Sequence, residues 1–179
     1  PSPYWVSYPE MAYLAGGVPK LIETVQSEGF RLTPERLKKS LSAKSKILML
    51  NSPSNPTGSV LEEKDLVALA KLVVEKDLIC ISDEIYEYYV FNGMKHVSIA
   101  CLSDEIKKRT FVVNGTSKSY SMTGLRIGYL AGDPEVVKKV GILQDHSTSN
   151  PVSISQKMAV AALHLPKSYR TGIQELFQK

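Results

Sequence analysis

A chain of 179 residues, 43% hydrophobic and 22% charged, is long enough to bury a sizeable core and has the balance of a soluble globular domain. Its formal net charge of +4 is spread along the sequence, and the densest basic runs, Lys38-Lys39 with Lys44 and Lys46 and then Lys107-Lys108-Arg109, fall near predicted helix ends, so they read as solvated surface and no nucleic-acid partner is expected. No apolar run is long enough for a membrane span and no signal-peptide pattern is seen, so the expectation is no membrane partner and a cytoplasmic location.

The sequence opens on Pro1-Ser2-Pro3-Tyr4-Trp5, with no initiator Met. Trp5 is the only tryptophan, either a core or interface residue or a flat surface on which a ring can stack. A first strand is predicted over Lys20–Val25. Thr33-Pro34 then pairs an N-cap residue with proline at the first helical position. A second strand, Lys46–Leu50, runs into the turn-rich Asn51-Ser52-Pro53-Ser54-Asn55-Pro56-Thr57-Gly58. Ser59-Val60-Leu61-Glu62 has the spacing of a capping box and leads into a helix that places Leu66, Leu69, Ala70 and Val73 on one face.

A third strand, Leu78–Ser82, carries Cys80 as a small buried residue and runs into Asp83-Glu84-Ile85-Tyr86. Asn92–Ser98 reads as a polar loop. A fourth strand, Thr110–Asn114, is followed by Gly115-Thr116-Ser117-Lys118-Ser119, and a fifth is predicted over Ile127–Ala131. Asp133-Pro134 repeats the cap-plus-proline signal, a further helix runs through Gln156–Leu163, and the end of the chain is amphipathic through Tyr169, Ile173, Leu176 and Phe177. Strands apolar on both faces, alternating with helices, predict an α/β domain of three layers, α/β/α, around a mostly parallel sheet. Two cysteines make no disulfide framework, and His96, His146 and His164 lack ligand spacing, so no metal is expected.

Ligands in such sheets sit beyond the carboxyl ends of the strands. That rule gathers Asn55, Asp83, Tyr86 and Lys118 at one pocket edge. A lysine beyond an apolar strand, among small hydroxyl residues, is suited to attack a carbonyl carbon, although most lysines are simply surface charge. Gly115-Thr116-Ser117-Lys118-Ser119 is not a Walker phosphate loop, because Ser117 stands where that motif needs glycine. Asp83 caps the next turn, binds a magnesium ion, or faces a protonated ring nitrogen and keeps it charged. Tyr86 is core filler or reaches a phenolic oxygen on the same ring, and Asn55 is turn chemistry or a donor to that oxygen. Arg126, between Gly124 and Gly128, offers a planar fork suited to a phosphate.

The segments Asn55-Pro56-Thr57-Gly58, Asp83-Glu84-Ile85-Tyr86 and Ser117-Lys118 to Arg126-Ile127-Gly128 resemble, in order and spacing, the aspartate-aminotransferase-like class I/II family of pyridoxal-phosphate enzymes, fold type I. The opening Pro3-Tyr4-Trp5-Val6-Ser7-Tyr8-Pro9-Glu10 is similar to the bacterial branch that includes relatives acting on prephenate. The resemblance implies that Lys118 holds pyridoxal 5'-phosphate as a Schiff base and that Asp83 pairs with the pyridine nitrogen. It likewise implies that Tyr86 and Asn55 bond the ring hydroxyl oxygen, Arg126 binds the phosphate and Trp5 stacks on the ring; Lys118, Asp83 and Tyr86 are the catalytic set. It implies amino-group transfer between an amino acid, aspartate or another dicarboxylic or aromatic one, and a 2-oxo acid, in a homodimer.

By the same resemblance, residues 1–165 are part of the cofactor-binding large domain, and 166–179 begin a helix leading to a small domain. The sequence then reads as a piece of a longer protein, expected to be inactive alone. It lacks the family's glycine-rich phosphate turn upstream of Trp5 and its C-terminal arginine for the substrate carboxylate. Gly115 stands where many relatives have Ser, Tyr8 stands where some have His, and no arginine occurs between Arg126 and Arg170. The alternatives are other chemistry on the same cofactor, such as β-elimination, the ligand-sensing domain of an aminotransferase-like transcription regulator, or the same fold without a cofactor.

Overall fold

Four short apolar runs become one sheet in the computed structural model, which describes residues 1–178. Strands β1 (Ile47–Asn51), β2 (Ile79–Asp83) and β3 (Thr110–Gly115) pair in parallel, and β4 (Gly128–Ala131) closes the edge antiparallel to β3. The sheet is mostly parallel, as expected. Its register sets Asn51 opposite Asp83 and Asp83 opposite Val113, so the carboxyl ends of β1, β2 and β3 lie level. That alignment places the site.

Helices α1 (Ser7–Leu14) and α2 (Pro34–Ser40) precede the sheet, α3 (Glu63–Glu75) and α4 (Asp104–Lys107) lie between its strands, and α5 (Pro134–Asp145), α6 (Ser153–Leu163) and α7 (Lys167–Gln178) follow it. Both cap-plus-proline starts form. Thr33 accepts from the Arg36 amide, and Asp133 accepts from those of Glu135 and Val136, satisfying donors that a helix start leaves free. α3 turns Leu66, Leu69, Ala70 and Val73 onto the sheet face carrying Leu48, Leu50 and Cys80, and Leu37, Ile99 and Ile106 complete that core. Cys80 is fully buried there. The opposite face keeps Ile47 and Val113 exposed, at 58% and 38%. Strands apolar on both faces are thus covered fully on one.

Two predicted features do not form. Lys20–Val25 is not a strand: it alternates buried Ile22 and Thr24 with exposed neighbours, as a strand would, but among the described residues its only β-pairing is one isolated parallel bridge between Glu23 and Ser2. The pattern is present and the ladder partner is not. The capping box is also absent. α3 begins after Glu62, with no side-chain cap, while Ser59 stays in the preceding turn. Glu62 points instead to Arg31 at 2.6 Å and Lys64 at 2.8 Å. The short helices α1 and α4 carry no periodic apolar pattern long enough to predict them. The amphipathic α7 makes only partial contact: Tyr169 stacks on Tyr120, Phe177 meets Tyr89 edge-on and Gln174 bonds the Tyr88 carbonyl, while Leu176 and Phe177 stay largely exposed.

Candidate active site

The turn after β1 and the turn after β2 are tied to each other. Asn51, the last residue of β1, donates its side-chain amide to the Asp83 carbonyl at 3.0 Å and accepts from the Asn55 amide at 2.8 Å. Asn55 and Asp83 are therefore held by the same side chain. Gly58, at φ +69°, turns the backbone through the left-handed region and closes the Ser54–Gly58 turn. Asp83 lies on the sheet face opposite the main core. One carboxylate oxygen accepts from the Ile85 amide at 3.1 Å, and the other accepts from the Tyr8 hydroxyl at 2.7 Å. Trp5 meets Tyr8 edge to face, with ring centroids 5.4 Å apart, and remains 39% exposed. A single path of contacts thus joins Trp5, Tyr8, Asp83, Asn51 and Asn55.

Lys118 enters from the loop between β3 and β4. Its ammonium lies 5.5 Å from the centre of the Tyr86 ring, within cation–π range. Its carbonyl accepts from the Tyr89 hydroxyl at 2.8 Å. Among the described residues Lys118 has no ion pair. The two strands flanking this loop approach very closely. A Cβ on Gly115 would stand 2.8 Å from the Ile127 carbonyl oxygen, and one on Gly128 would stand 2.9 Å from that of Asn114. Gly115 therefore meets a steric need here.

Arg126 is exposed, in left-handed backbone at φ +50°, a conformation that costs a non-glycine residue roughly 1–2 kcal/mol. Its guanidinium donates to the Thr123 carbonyl of its own turn at 2.9 Å. Four of the six predicted residues, Asn55, Asp83, Tyr86 and Lys118, thus gather at the carboxyl edge of the sheet. Trp5 joins them through Tyr8, and Arg126 is near in the chain but bonded only to its own turn.

Three more residues shape this edge: Tyr8, noted in the sequence only as a departure from a histidine, and Asn51 and Glu84, which carry no signal strong enough to single them out. Tyr8 stays protonated as a donor: burial first, and then the bond to Asp83, push its hydroxyl far above the usual phenol range. Asn51 is the last strand residue, a position read as turn. Glu84, beside Asp83, is sunk to 4% exposure beneath the turn and bonded to Ser82, His96 and Ser98.

The residues present fit a phosphorylated pyridine aldehyde. The two Asp83 oxygens accept one hydrogen bond each from the protein, which leaves capacity for a ring N–H. The amine of Lys118 is free of carboxylates. Two hydroxyls of the same loop, Thr116 Oγ1 and Ser119 Oγ, are buried without a partner among the described residues.

Comparison with known proteins identifies the family. The family model for aminotransferase class I and II matches residues 1–178. Aspartate aminotransferase of Bacillus subtilis (strain 168) is 48% identical over 178 residues, covering 99% of this chain and 45% of the relative. A probable aspartate/prephenate aminotransferase of Aquifex aeolicus is 47% identical, covering 94% and 43%. Among solved structures, an aspartate aminotransferase of Rhizobium meliloti superposes with a TM-score of 0.96 at 39% identity, over 99% of this chain and 45% of that one. An aromatic aminotransferase of Pyrococcus horikoshii gives 0.93 at 40% identity, over 98% and 47%. The chain therefore spans somewhat less than half the length of these relatives. With its mostly parallel sheet and the three motifs in place along it, this chain belongs to the pyridoxal-phosphate-dependent class I and II aminotransferases, on their aspartate-aminotransferase-like side.

Proposed function

We propose that this chain carries the lysine-bearing half of the active site of an aminotransferase that moves an amino group between an amino acid and a 2-oxo acid. The names of its relatives point to aspartate, with prephenate among the acceptors. In this reading residues 1–165 form part of the cofactor-binding domain, and 166–179 begin the helix that leads out of it. The observation that carries the proposal is the convergence of Lys118, Tyr86, Asp83 and Asn55 at the carboxyl edge of β1, β2 and β3.

Pyridoxal 5'-phosphate, when bound, supplies an aldehyde for the amino group and a ring that takes up negative charge from Cα. The protein's residues then divide the work. Lys118 is the amine that anchors the group. The same amine would serve as the base that takes the proton from substrate Cα. Asp83 is the acceptor for the ring N–H, and Tyr8 and the Ile85 amide fix the direction in which its oxygens face. Tyr86 and Asn55 are the donors to the ring oxygen, Trp5 is the stacking surface and Arg126 is the phosphate fork. Asn51 holds the Asn55 and Asp83 turns at a fixed separation. The substrates are small dicarboxylic or aromatic amino acids and their oxo acids, acted on in a homodimer.

The test is a product assay on the full-length protein with aspartate and 2-oxoglutarate. Stoichiometric exchange of amino group for keto group, without ammonia, is the expected result. Ammonia released in step with keto acid would replace transfer by elimination.

A further inference from the structure

We propose that Glu84, His96 and Ser98 form a buried latch that positions Asp83 and Tyr86 for the transfer reaction, an inference that rests on the functional reading above. Asp83 and Glu84 are consecutive acids with opposite fates. Asp83 faces Tyr8 on the open side of the sheet. Glu84 extends the pairing of β2 with β3 through its amide, which donates to the Val113 carbonyl at 2.9 Å, and drops its carboxylate into the interior. A carboxylate placed there is costly unless its oxygens are bonded. Oε1 accepts from Ser82 Oγ at 2.9 Å and from Ser98 Oγ at 2.7 Å, and Oε2 accepts from His96 Nε2 at 3.0 Å.

The partners come from both ends of one excursion of the chain. Ser82 precedes Asp83 in β2, while His96 and Ser98 lie at the end of the loop that the Tyr86–Tyr89 turn feeds. Their alternate spacing lets an extended segment aim both side chains the same way. Glu84 thereby staples the base of a loop running from Asp83 to Ser98. Within that loop Tyr86 faces the Lys118 ammonium and Tyr89 donates to the Lys118 carbonyl. The second nitrogen of His96, Nδ1, is buried and has no partner among the described residues, so the ring's polar contact there is given wholly to Glu84.

Burial alone would raise the Glu84 pKa. The bonds from His96, Ser98 and Ser82 outweigh it and hold the carboxyl below its ordinary value, which agrees with a satisfied anion. No member of the latch bonds to Lys118, Asp83 or Tyr86 through its side chain, so all three act as positioning residues. Small shifts of a supporting turn are enough to slow chemistry at the groups it carries.

The experiment uses the full-length protein with His96→Phe and Ser98→Ala, which remove donors, and His96→Gln, which keeps one. In the cofactor-free protein, amide hydrogen exchange over Ile85–Tyr89 is expected to rise about tenfold in the first two variants as the turn opens more often. In the holoenzyme the visible absorbance band shifts and kcat falls about tenfold with a smaller change in KM, while His96→Gln stays within about threefold of wild type. Should His96→Phe not fold, Ser98→Ala, with Ser98→Thr as its rescue, reads the same quantities. Variants that exchange faster or melt earlier while keeping a wild-type band and kcat would reduce the latch to plain structural support and overturn the proposal, as would a His96→Gln no better than His96→Phe. A wild-type protein that neither binds pyridoxal phosphate nor transfers an amino group would refute the functional reading itself. A fully active wild type with indistinguishable variants refutes the latch alone.

Discussion

Tyr8 decides how Asp83 can act. Its hydroxyl is a neutral donor whose proton burial and Asp83 retain, so the bond at 2.7 Å persists through any working pH. Hydrogen bonds to charged groups contribute about 1.5–3 kcal/mol, so Tyr8→Phe in the full-length protein should lower kcat about tenfold or more and weaken cofactor retention, measured by steady-state kinetics and by dialysis. Glu84 predicts an acid limb. Its folded carboxyl lies below the ordinary value, so the stability it gives is complete above about pH 4.3, its unfolded value, and is lost as pH falls through the lower folded value. Cys80, Glu87 and Tyr129 feel its charge, and His96 bonds it. Thermal unfolding between about pH 3 and 7, across the carboxylate range, checks this, with Glu84→Gln flattening the acid limb.

Lys118, Asp83, Tyr86 and Asn55 were legible in the sequence because each follows an apolar strand, and strand ends in such sheets converge. Glu84 was not, because an acid beside another acid reads as solvated, and its burial depends on His96 and Ser98, which the fold brings back from the far end of a loop. Burial also separates the two thiols. It pushes Cys80 up to about 12, so a thiol reagent should modify Cys101 and spare Cys80 in the native protein.

Elements whose signals are local behaved as their sequences indicate. Thr33-Pro34 and Asp133-Pro134 start helices because the capping oxygen and the fixed proline φ act within one turn. Thr33→Ala should cost about 1 kcal/mol, read as a lower denaturation midpoint. Elements that need a distant partner were less legible. Lys20–Val25 has a strand's alternation but not its ladder. Ser59-Val60-Leu61-Glu62 has a capping box's spacing, yet Arg31 and Lys64 take the Glu62 carboxylate. The β3–β4 junction makes the sharpest demand on an element. Gly115→Ala would press a Cβ onto the Ile127 carbonyl, and overpacking of this kind costs about 1–3 kcal/mol. Because the junction bounds the loop holding Lys118 and Arg126, the same change should weaken pyridoxal phosphate binding, measured by absorbance titration.

For the molecule as a whole, the sheet presents one finished face and one on which Ile47 and Val113 stay exposed, and the chain covers 45% of its Bacillus subtilis relative. On the proposed reading, the residues of 1–178 would supply an amine, an acid for a ring nitrogen, a stacking surface and a phosphate fork. The central claim is that the amine is that of Lys118. Its direct test is to load the full-length protein with pyridoxal phosphate, reduce with borohydride and map the modified peptide by mass spectrometry. One stoichiometric pyridoxyl group on Lys118, absent from Lys118→Ala, is the predicted result. A label at another lysine, or an equal label in Lys118→Ala, would contradict it.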